Sequence, residues 1–263
     1  MKLFIATPCY GGLVARNFML SMISLNNALV KRGLPFTFAT VGNESLVTRA
    51  RNGLAAGFLA DAQSTHLLFI DADLSFPVET VLRLLEHGGP LVAAACPKKN
   101  IDWEAIRELA PHAESPAELA AAGVDLAVGV SPEGETFPGE RFDRRIEGGF
   151  VRAAYVGTGM MLVARPVFET LAKELPDLRY MDLDAPEGQR ERFAFFDTLI
   201  HPATGRYLSE DYAFCHRWRG CGGEVWIDAE SAVGHLGSYL FESDTSVRVK
   251  LEARRLSSRG GSR

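Results

Sequence analysis

The chain has 263 residues, 47% of them hydrophobic and 23% charged, which is typical of a soluble globular protein. Its net charge of −5 argues against a nucleic-acid binder, because phosphate backbones attract a basic surface. The four cysteines form no Cys-x-x-Cys pair, the apolar N-terminal run is too short for a signal peptide, and no segment reaches transmembrane length, so we expect a cytoplasmic protein with reduced thiols.

The first hundred residues alternate short apolar strands with amphipathic helices. Strands are predicted at residues 3–6, 36–41, 66–70 and 91–96. Helices are predicted at residues 14–32, at 45–59 with Ser45 as N-cap, and from Pro77 to the glycines at 88–89. This alternation is typical of crossover units, so we expect an α/β fold with a mostly parallel central sheet flanked by helices.

Beyond residue 100 the alternation is less regular. Asp102 and Ser115 are predicted to cap two short helices. Further strands are predicted at residues 126–130, 151–156, 160–164 and 225–227, and further helices at 166–175 and 209–220. Residues 176–207 are polar and contain prolines, and their charged and aromatic side chains suit an active-site loop, although an ordinary surface loop is the preferred interpretation.

The C-terminal residues 248–263 carry six basic side chains and one acidic one, and they end in Ser and Gly. Such a tail can dock on an anionic membrane surface, each cation contributing about 1 kcal/mol. It would then give the protein a weak peripheral contact at the inner face of the membrane. A solvated, poorly ordered chain end is the preferred interpretation.

The predicted strand at residues 66–70 is followed by two carboxylates, Asp71 and Asp73. Side chains alternate in extended backbone, so both point the same way if the extension continues. Ligands of open α/β sheets bind beyond the carboxyl ends of the strands, and paired carboxylates there suit a hard divalent cation that also binds substrate phosphates. The alternative is that both are solvated loop residues or help to start the next helix.

Two other groups could carry chemistry. Glu210 and Asp211 follow Ser209 at the start of a predicted helix, where the helix dipole alone favours acidic residues. His235 lies between Gly234 and Leu236-Gly237, and neutral imidazole is a good metal ligand, although a lone histidine is more often structural.

Four cations, Arg49, Arg51, Lys98 and Lys99, form a further group that could carry chemistry. Arg51 lies in the helix before the predicted strand at residues 66–70, while Lys98 and Lys99 follow the end of the predicted strand at residues 91–96, where a diphosphate would bind. The alternative is that these are solvated surface cations, and this is the preferred interpretation for Arg49.

Several short motifs follow one another along the chain. They are Thr7-Pro8, residues 45–52, Phe69-Ile70-Asp71-Ala72-Asp73, residues 157–165 beginning Gly157-Thr158-Gly159, Ser209-Glu210-Asp211 and Gly234-His235. In this order they resemble GT-A-fold glycosyltransferases of the broad family-2-like group, with its bacterial and viral relatives. The resemblance covers nearly the whole chain, from residue 3 to about residue 235.

The resemblance implies a GT-A fold, in which a Rossmann-like sheet is joined by a smaller acceptor-side sub-sheet. It implies that Thr7, Pro8 and Cys9 line the pocket for the nucleotide base. Arg51 would help to hold the nucleotide, and Lys98 is expected to bind its diphosphate from its place at the strand end.

For the reacting groups, the resemblance implies a divalent cation, Mn²⁺ or Mg²⁺, bound by Asp73. His235 would be a second protein ligand, with Asp71 beside the cation and facing the ribose or sugar. Glu210 and Asp211 would face the acceptor. Asp211 would be the general base, because glycosyl transfer requires a carboxylate that takes the acceptor proton.

The implied activity is transfer of one sugar from a nucleotide-diphosphate sugar, with a UDP-sugar favoured, to a glycan or lipid-linked acceptor. A Gln-x-x-Arg-Trp signature is absent from the sequence, which argues against a processive polysaccharide synthase. Residues 1–100 would form the nucleotide-sugar-binding half, residues 101–240 the acceptor-side half of the same domain, and residues 241–263 the basic tail.

Two alternative functions come from different classes. Asp71 and Asp73 also echo the Asp-x-Asp start of haloacid-dehalogenase-like phosphatases, in which the first Asp is a nucleophile, but that motif normally follows the first strand. A catalytically silent protein that binds sugar nucleotides or glycans is the other alternative, because fold does not fix activity. The sequence contains no P-loop, no GxSxG elbow and no His-Glu-x-x-His pair.

Overall fold

The computed structural model describes residues 1–129, 145–188 and 190–238, together with the short strands Glu135–Phe137 and Glu140–Arg141. The end of the predicted strand at residue 130 and the basic tail lie outside the described residues. The described α-helices are α1 (Arg16–Lys31), α2 (Val47–Ala60), α3 (Val78–His87), α4 (Trp103–Leu109), α5 (Pro116–Ala122), α6 (Arg165–Glu174) and α7 (Glu210–Gly220).

The strands are numbered along the chain. Those of the first half are β1 (Leu3–Cys9), β2 (Phe36–Gly42), β3 (His66–Ile70), β4 (Leu74–Ser75), β5 (Leu91–Ala94), β6 (Val128–Gly129), β7 (Glu135–Phe137), β8 (Glu140–Arg141) and β9 (Ile146–Glu147). Those of the second half are β10 (Phe150–Ala153), β11 (Tyr155–Val156), β12 (Met160–Ala164), β13 (Arg179–Met181), β14 (Glu191–Phe193), β15 (Leu199–Ile200), β16 (Tyr207–Leu208), β17 (Val225–Asp228) and β18 (Gly234–His235).

One eight-stranded sheet, in the order β2-β1-β3-β12-β5-β17-β10-β9, forms the centre of the described fold. Six of its strands run in one direction, while β12 and β10 run antiparallel to their neighbours. The α/β class and the mostly parallel sheet are as predicted. The antiparallel insertion of β12 between β3 and β5 was not predicted, because an apolar strand of this kind gives no sign of its direction.

The central sheet is covered by helices on both faces. Along β3 the side chains alternate, so Leu67 and Phe69 pack on one layer and Leu68 and Ile70 on the other. The first layer includes Phe58 of α2 together with residues of α6 and α7, and the second includes residues of α1 and α3. Burial of β3 on both faces explains its continuous apolar sequence.

The helix starts match the predictions in part. Asp102 and Ser115 cap α4 and α5, each accepting a hydrogen bond from a backbone N–H in the first turn. The N-cap prediction for Ser45 is wrong, because α2 begins one residue later and its N-cap is Leu46, whose N–H donates to the Glu44 carboxylate at 3.0 Å.

Residues 176–207, predicted to be a loop, form two short hairpins, β13–β14 and β15–β16. These are separate from the central sheet, and each contains only a few paired residues. Among the described helices, none is long and apolar enough to cross a membrane.

Arg165 fastens the C-terminal end of α2 to the start of α6. Its guanidinium donates to the backbone carbonyls of Phe58 (2.9 Å), Asp61 (2.7 Å) and Ser64 (2.8 Å), and more weakly to that of Leu59 (3.4 Å). The last carbonyls of a helix have no partner within the helix, so this one charged group satisfies several of them.

Replacing this guanidinium should therefore be costly. We expect Arg165→Met to lower the free energy of unfolding by about 2–4 kcal/mol, because hydrogen bonds to a charged donor are lost at several carbonyls. Arg165→Lys should recover only part of the loss, since an ammonium group is a point charge and not a planar fork. Urea unfolding measures the difference. As a control, Arg107→Met removes an exposed arginine paired with Glu104 and should change stability by about 0.5 kcal/mol or less. Equal stability of Arg165→Met and wild type would contradict this role.

Candidate functional site

A cavity of about 440 Å³ lies at the carboxyl ends of β1, β2 and β3, and is called the edge cavity here. The three strands are parallel, so their ends meet at one edge of the sheet. The residues that line it are Pro8, Cys9, Tyr10, Leu13, Val14, Ala15, Val41, Glu44, Ser45, Val47, Ala50, Arg51, Asp71, Ala72, Asp73 and Leu236. Five predicted site residues are among them, namely Pro8, Cys9, Arg51, Asp71 and Asp73.

Of the residues predicted to bind the nucleotide, Thr7 and Lys98 do not line the edge cavity. Thr7 is fully buried in β1, and its hydroxyl has no hydrogen-bond partner among the described residues. Lys98 turns away, because both its backbone N–H and its ammonium group bond to Asp125, at 2.7 Å each. The next residue, Lys99, forms an ion pair with Asp73 instead. Of the two lysines that the sequence placed at this strand end, Lys99 therefore reaches Asp73 and Lys98 does not.

Arg51 is the most deeply buried charged residue of the site, with 4% of its side chain exposed. Its Nη2 donates to both carboxylate oxygens of Asp71, at 3.0 and 3.3 Å, and its Nε donates to Glu210 Oε1 at 3.4 Å. Burial alone would lower the pKa of Arg51, but the charges of Asp71 and Glu210 outweigh burial and raise it. Its Nη1 has no hydrogen-bond partner among the described residues.

The acidic pair at the start of α7 is split between two environments. Glu210 contacts Arg51, and its pKa is raised because burial and the nearby Asp211 outweigh the pull of that arginine. Asp211 uses Oδ1 to accept hydrogen bonds from the Ser209 hydroxyl and from the Tyr212 N–H (2.8 Å). Its Oδ2 faces Gly157, where a Cβ would lie 3.5 Å from it. Neither carboxylate lines the edge cavity.

Asp73 and His235, far apart in sequence, are brought together by the pairing of β4 with β18. The His235 Nε2 lies 3.2 Å from Asp73 Oδ1, and Lys99 pairs with Asp73 Oδ2. Burial would raise the pKa of Asp73, but hydrogen bonds from His235 and Lys99 outweigh it and lower this pKa to about 2. The hydrogen bond to Asp73 also raises the pKa of His235.

Glycines allow this close approach. A Cβ on Gly234 would lie 2.5 Å from the Ser75 hydroxyl of β4, and one on Gly237 would lie 3.2 Å from the aliphatic chain of Lys99. The glycines on either side of His235 therefore let the backbone lie against β4 and against Lys99. Gly159 acts similarly beside β3, where its carbonyl accepts the Asp71 N–H at 2.8 Å.

The pair of Asp73 and His235 fits a divalent cation. The Nδ1 of His235 lies 2.7 Å from the Pro97 carbonyl, which can only accept, so Nδ1 carries a proton; Nε2 donates to Asp73 and would have to lose its proton before its lone pair could bind a cation. Asp71, the predicted third ligand, is held by Arg51, and no cluster of three or more His, Cys, Asp or Glu side chains suited to a metal occurs among the described residues. Substrate oxygens and water would have to supply the remaining ligands, as is usual for Mg²⁺.

Sequence reasoning missed Lys99 as a partner of Asp73 and Glu44, Tyr10 and Leu236 as lining residues. Glu44 follows β2 at the same sheet edge as Asp71, so the strand-end argument applied to Asp71 also points to it. Leu236 follows the predicted metal ligand directly, and its N–H donates to the Asp73 carbonyl at 2.9 Å. No sequence pattern indicates that Tyr10 faces the cavity.

No family model and no curated protein sequence matches the chain. Among solved structures, A197 from STIV is 13% identical with a TM-score of 0.43, and the alignment covers 93% of this chain and 98% of that one. The catalytic domain of Drosophila beta1,4-galactosyltransferase 7, in complex with xylobiose, is 13% identical with a TM-score of 0.44, covering 90% of this chain and 71% of that one. A UDP-glucose pyrophosphorylase complexed with UDP-glucose is 11% identical with a TM-score of 0.34, covering 87% and 74%. All three TM-scores are below 0.5, so the function is inferred from this chain's own residues.

The contacts of Arg51 predict strong coupling between this residue and Glu210. Arg51→Met should lower the free energy of unfolding by about 3–5 kcal/mol, because it leaves two carboxylates near the protein interior without their cation. The double variant Arg51→Met/Glu210→Gln should lose less than Arg51→Met alone, since one of those charges is then removed. Denaturant unfolding of both single variants and the double variant completes the cycle.

Arg49→Met is the matched control, because Arg49 lies on the same helix but is 58% exposed. We expect it to change stability by about 1 kcal/mol or less. Strict additivity of Arg51→Met and Glu210→Gln would contradict a direct interaction between these side chains.

Proposed function

We propose that the protein is a metal-dependent glycosyltransferase that moves one sugar from a nucleotide-diphosphate sugar to a glycan or lipid-linked acceptor. A UDP-sugar is the favoured donor, by the resemblance of the sequence motifs. The observation that carries the proposal is the contact of Asp73 with His235 at the rim of a cavity that also contains the buried Arg51. This combines a cation site with a fixed positive charge, as a nucleotide diphosphate requires.

The donor would bind in the edge cavity. Pro8 and Cys9 supply a wall at the end of β1 for the nucleotide base, and the buried guanidinium of Arg51 supplies a fixed positive charge beside the cavity. Asp73 and His235 would hold Mn²⁺ or Mg²⁺. When bound, such a cation neutralises the charge that develops on the departing diphosphate.

The acceptor would be activated at the start of α7. The Oδ2 of Asp211 accepts no hydrogen bond from the described residues, while its Oδ1 is fixed by Ser209 and by the backbone of Tyr212. In an inverting transfer, Oδ2 takes the proton of the acceptor hydroxyl as that oxygen bonds to the anomeric carbon and the bond to the diphosphate breaks. Glu210, which forms an ion pair with Arg51, would position the start of α7, and with it Asp211, relative to the donor.

The phosphatase alternative would use Asp71 as a nucleophile. Both oxygens of Asp71 accept hydrogen bonds from Arg51, which stabilises the carboxylate and reduces its nucleophilicity. This contact favours a role for Asp71 in holding the donor. The silent binding protein differs from the transferase only in turnover, so the experiments that follow separate them.

The first test combines donor binding with turnover. A panel of nucleotide sugars with Mn²⁺ should raise the thermal midpoint of wild type for one donor, because ligands that bind only the native state stabilise it. The same donor, radiolabelled, should be hydrolysed or transferred only when Mn²⁺ is present. Asp73→Asn should abolish the metal-dependent activity and lower the midpoint of the unliganded protein little, since Asp73 is partly exposed.

Asp125→Asn is the control for Asp73→Asn, because it removes a carboxylate from a similar exposed ion pair with Lys98, outside the cavity. Wild-type turnover by Asp73→Asn would refute the role of Asp73 in cation binding. Phosphate release from simple phosphoesters would favour the phosphatase, and donor binding without turnover would favour the binding protein.

The second test concerns the base. Asp211→Asn should lower kcat by about 10²–10⁴-fold, the usual contribution of general base catalysis, with little change in the donor KM because Asp211 does not line the edge cavity. Glu210→Gln should have a smaller effect on kcat, since Glu210 acts through Arg51. Steady-state kinetics with a saturating acceptor measures both. Unchanged kcat in Asp211→Asn would assign the base elsewhere.

A further inference from the structure

The helix α1 has apolar side chains on two opposite sides. Its inner side packs on the sheet through Phe18, Leu25 and Leu29. On its outer side, Leu20, Ile23 and Val30 are 43%, 51% and 66% exposed. Residues three, seven and ten positions apart lie on the same side of a helix, so these three share one side, with the exposed Asn26 and Asn27 between Ile23 and Val30; this set is called the stripe. A helix at a protein surface ordinarily presents polar residues there.

The same region is free of acidic residues. The first 43 residues contain four basic side chains and no acidic one, although the whole chain has 33 acidic residues against 28 basic ones. Arg16 lies at the start of the stripe, and Lys31 and Arg32 lie at its end, all three exposed. The stripe and these cations together are called the α1 face. It is a basic, apolar surface on a protein whose net charge is negative.

The α1 face continues into the loop before α1. Tyr10, Leu13 and Val14 are exposed, and all three also line the edge cavity. On the neighbouring helix α3, Glu79 and Glu86 are exposed, so the acid-free surface is confined to α1 and this loop. The mouth of the edge cavity and the α1 face therefore share one border.

We propose that the α1 face docks on an anionic lipid bilayer, with α1 lying in the plane of the interface. Surface-binding helices combine apolar residues that enter the headgroup region with Lys and Arg that meet anionic lipids. A second copy of this chain fits less well, because two such faces would oppose cations with no acidic residue between them. The docking is independent of the proposed function. One consequence rests on that function: the donor in the edge cavity would lie beside the membrane, which favours a lipid-linked acceptor over a free glycan.

The test measures binding of the full chain to vesicles by co-sedimentation, without donor or metal. Wild type should bind vesicles of equal parts phosphatidylcholine and phosphatidylglycerol at least about tenfold more tightly than vesicles of phosphatidylcholine alone, with the difference reduced by salt. Leu20→Glu/Ile23→Glu should lower binding to the anionic vesicles by about tenfold or more, and Arg16→Gln/Lys31→Gln should lower it to a similar degree.

Ile200→Glu is the control, since Ile200 is more exposed than Leu20 or Ile23 but lines a separate cavity with residues of α6 and α7, on the other face of the sheet. It should bind like wild type, and all variants should keep the wild-type thermal midpoint because the altered side chains are exposed. Equal vesicle binding by wild type and Leu20→Glu/Ile23→Glu would overturn the proposal and assign the contact to another segment. Absence of vesicle binding by wild type would also overturn the proposal. Self-association of wild type that Leu20→Glu/Ile23→Glu abolishes would overturn it as well. Because no turnover is measured, failure here is distinct from failure of the transferase proposal.

Discussion

The guanidinium of Arg51 is the group on which the arrangement of the site depends. A charge this deeply buried is stable only when carboxylates close to it offset the loss of hydration. Asp71 comes from the end of β3 and Glu210 from the first turn of α7, more than a hundred residues later. Because both must approach the same cation, the edge of the sheet and the start of α7 are held at a fixed separation. The proposed base, Asp211, is thereby held near the proposed donor pocket.

The Asp73 side of the site is assembled differently, through backbone. The short pairing of β18 with β4 places His235 beside Leu74, and the N–H of Leu236 bonds to the Asp73 carbonyl. The flanking glycines remove the side chains that would prevent this approach. The imidazole is then oriented by the Pro97 carbonyl at the end of the neighbouring chain segment. Three separate parts of the chain thus fix one carboxylate and one ring nitrogen, which limits the freedom of both before any ligand binds.

Much of the fold could be predicted because its signals are local. The apolar run of β3, the proline before α3 and the caps of α4 and α5 each act within a few residues. The argument that ligands bind at the carboxyl ends of strands placed Asp71 and Asp73 in one region, and the resemblance of the sequence motifs added Arg51. Ser45 failed as a cap because the Glu44 side chain reaches the Leu46 N–H and α2 starts later. Lys98 and Lys99 could not be distinguished, because the choice between them depends on the position of Asp125, on another segment. The hairpins within residues 176–207 and the antiparallel direction of β12 are likewise determined by tertiary pairing.

The charges of the edge cavity give a physical reason for metal dependence, if a nucleotide diphosphate is the ligand. Its lining contains three carboxylates, Glu44, Asp71 and Asp73, and one guanidinium, Arg51, which two carboxylates already engage. Two unit charges 4 Å apart near a protein surface interact by about 4 kcal/mol, so a diphosphate close to Asp73 would be strongly repelled. Lys99 offsets the charge of Asp73 but not the charges of the diphosphate. A divalent cation between Asp73 and the phosphate oxygens would convert this repulsion into attraction, and His235 could join it as a neutral ligand after losing the Nε2 proton that it donates to Asp73. The acidic lining, unfavourable to the donor alone, is what would make donor and cation bind together.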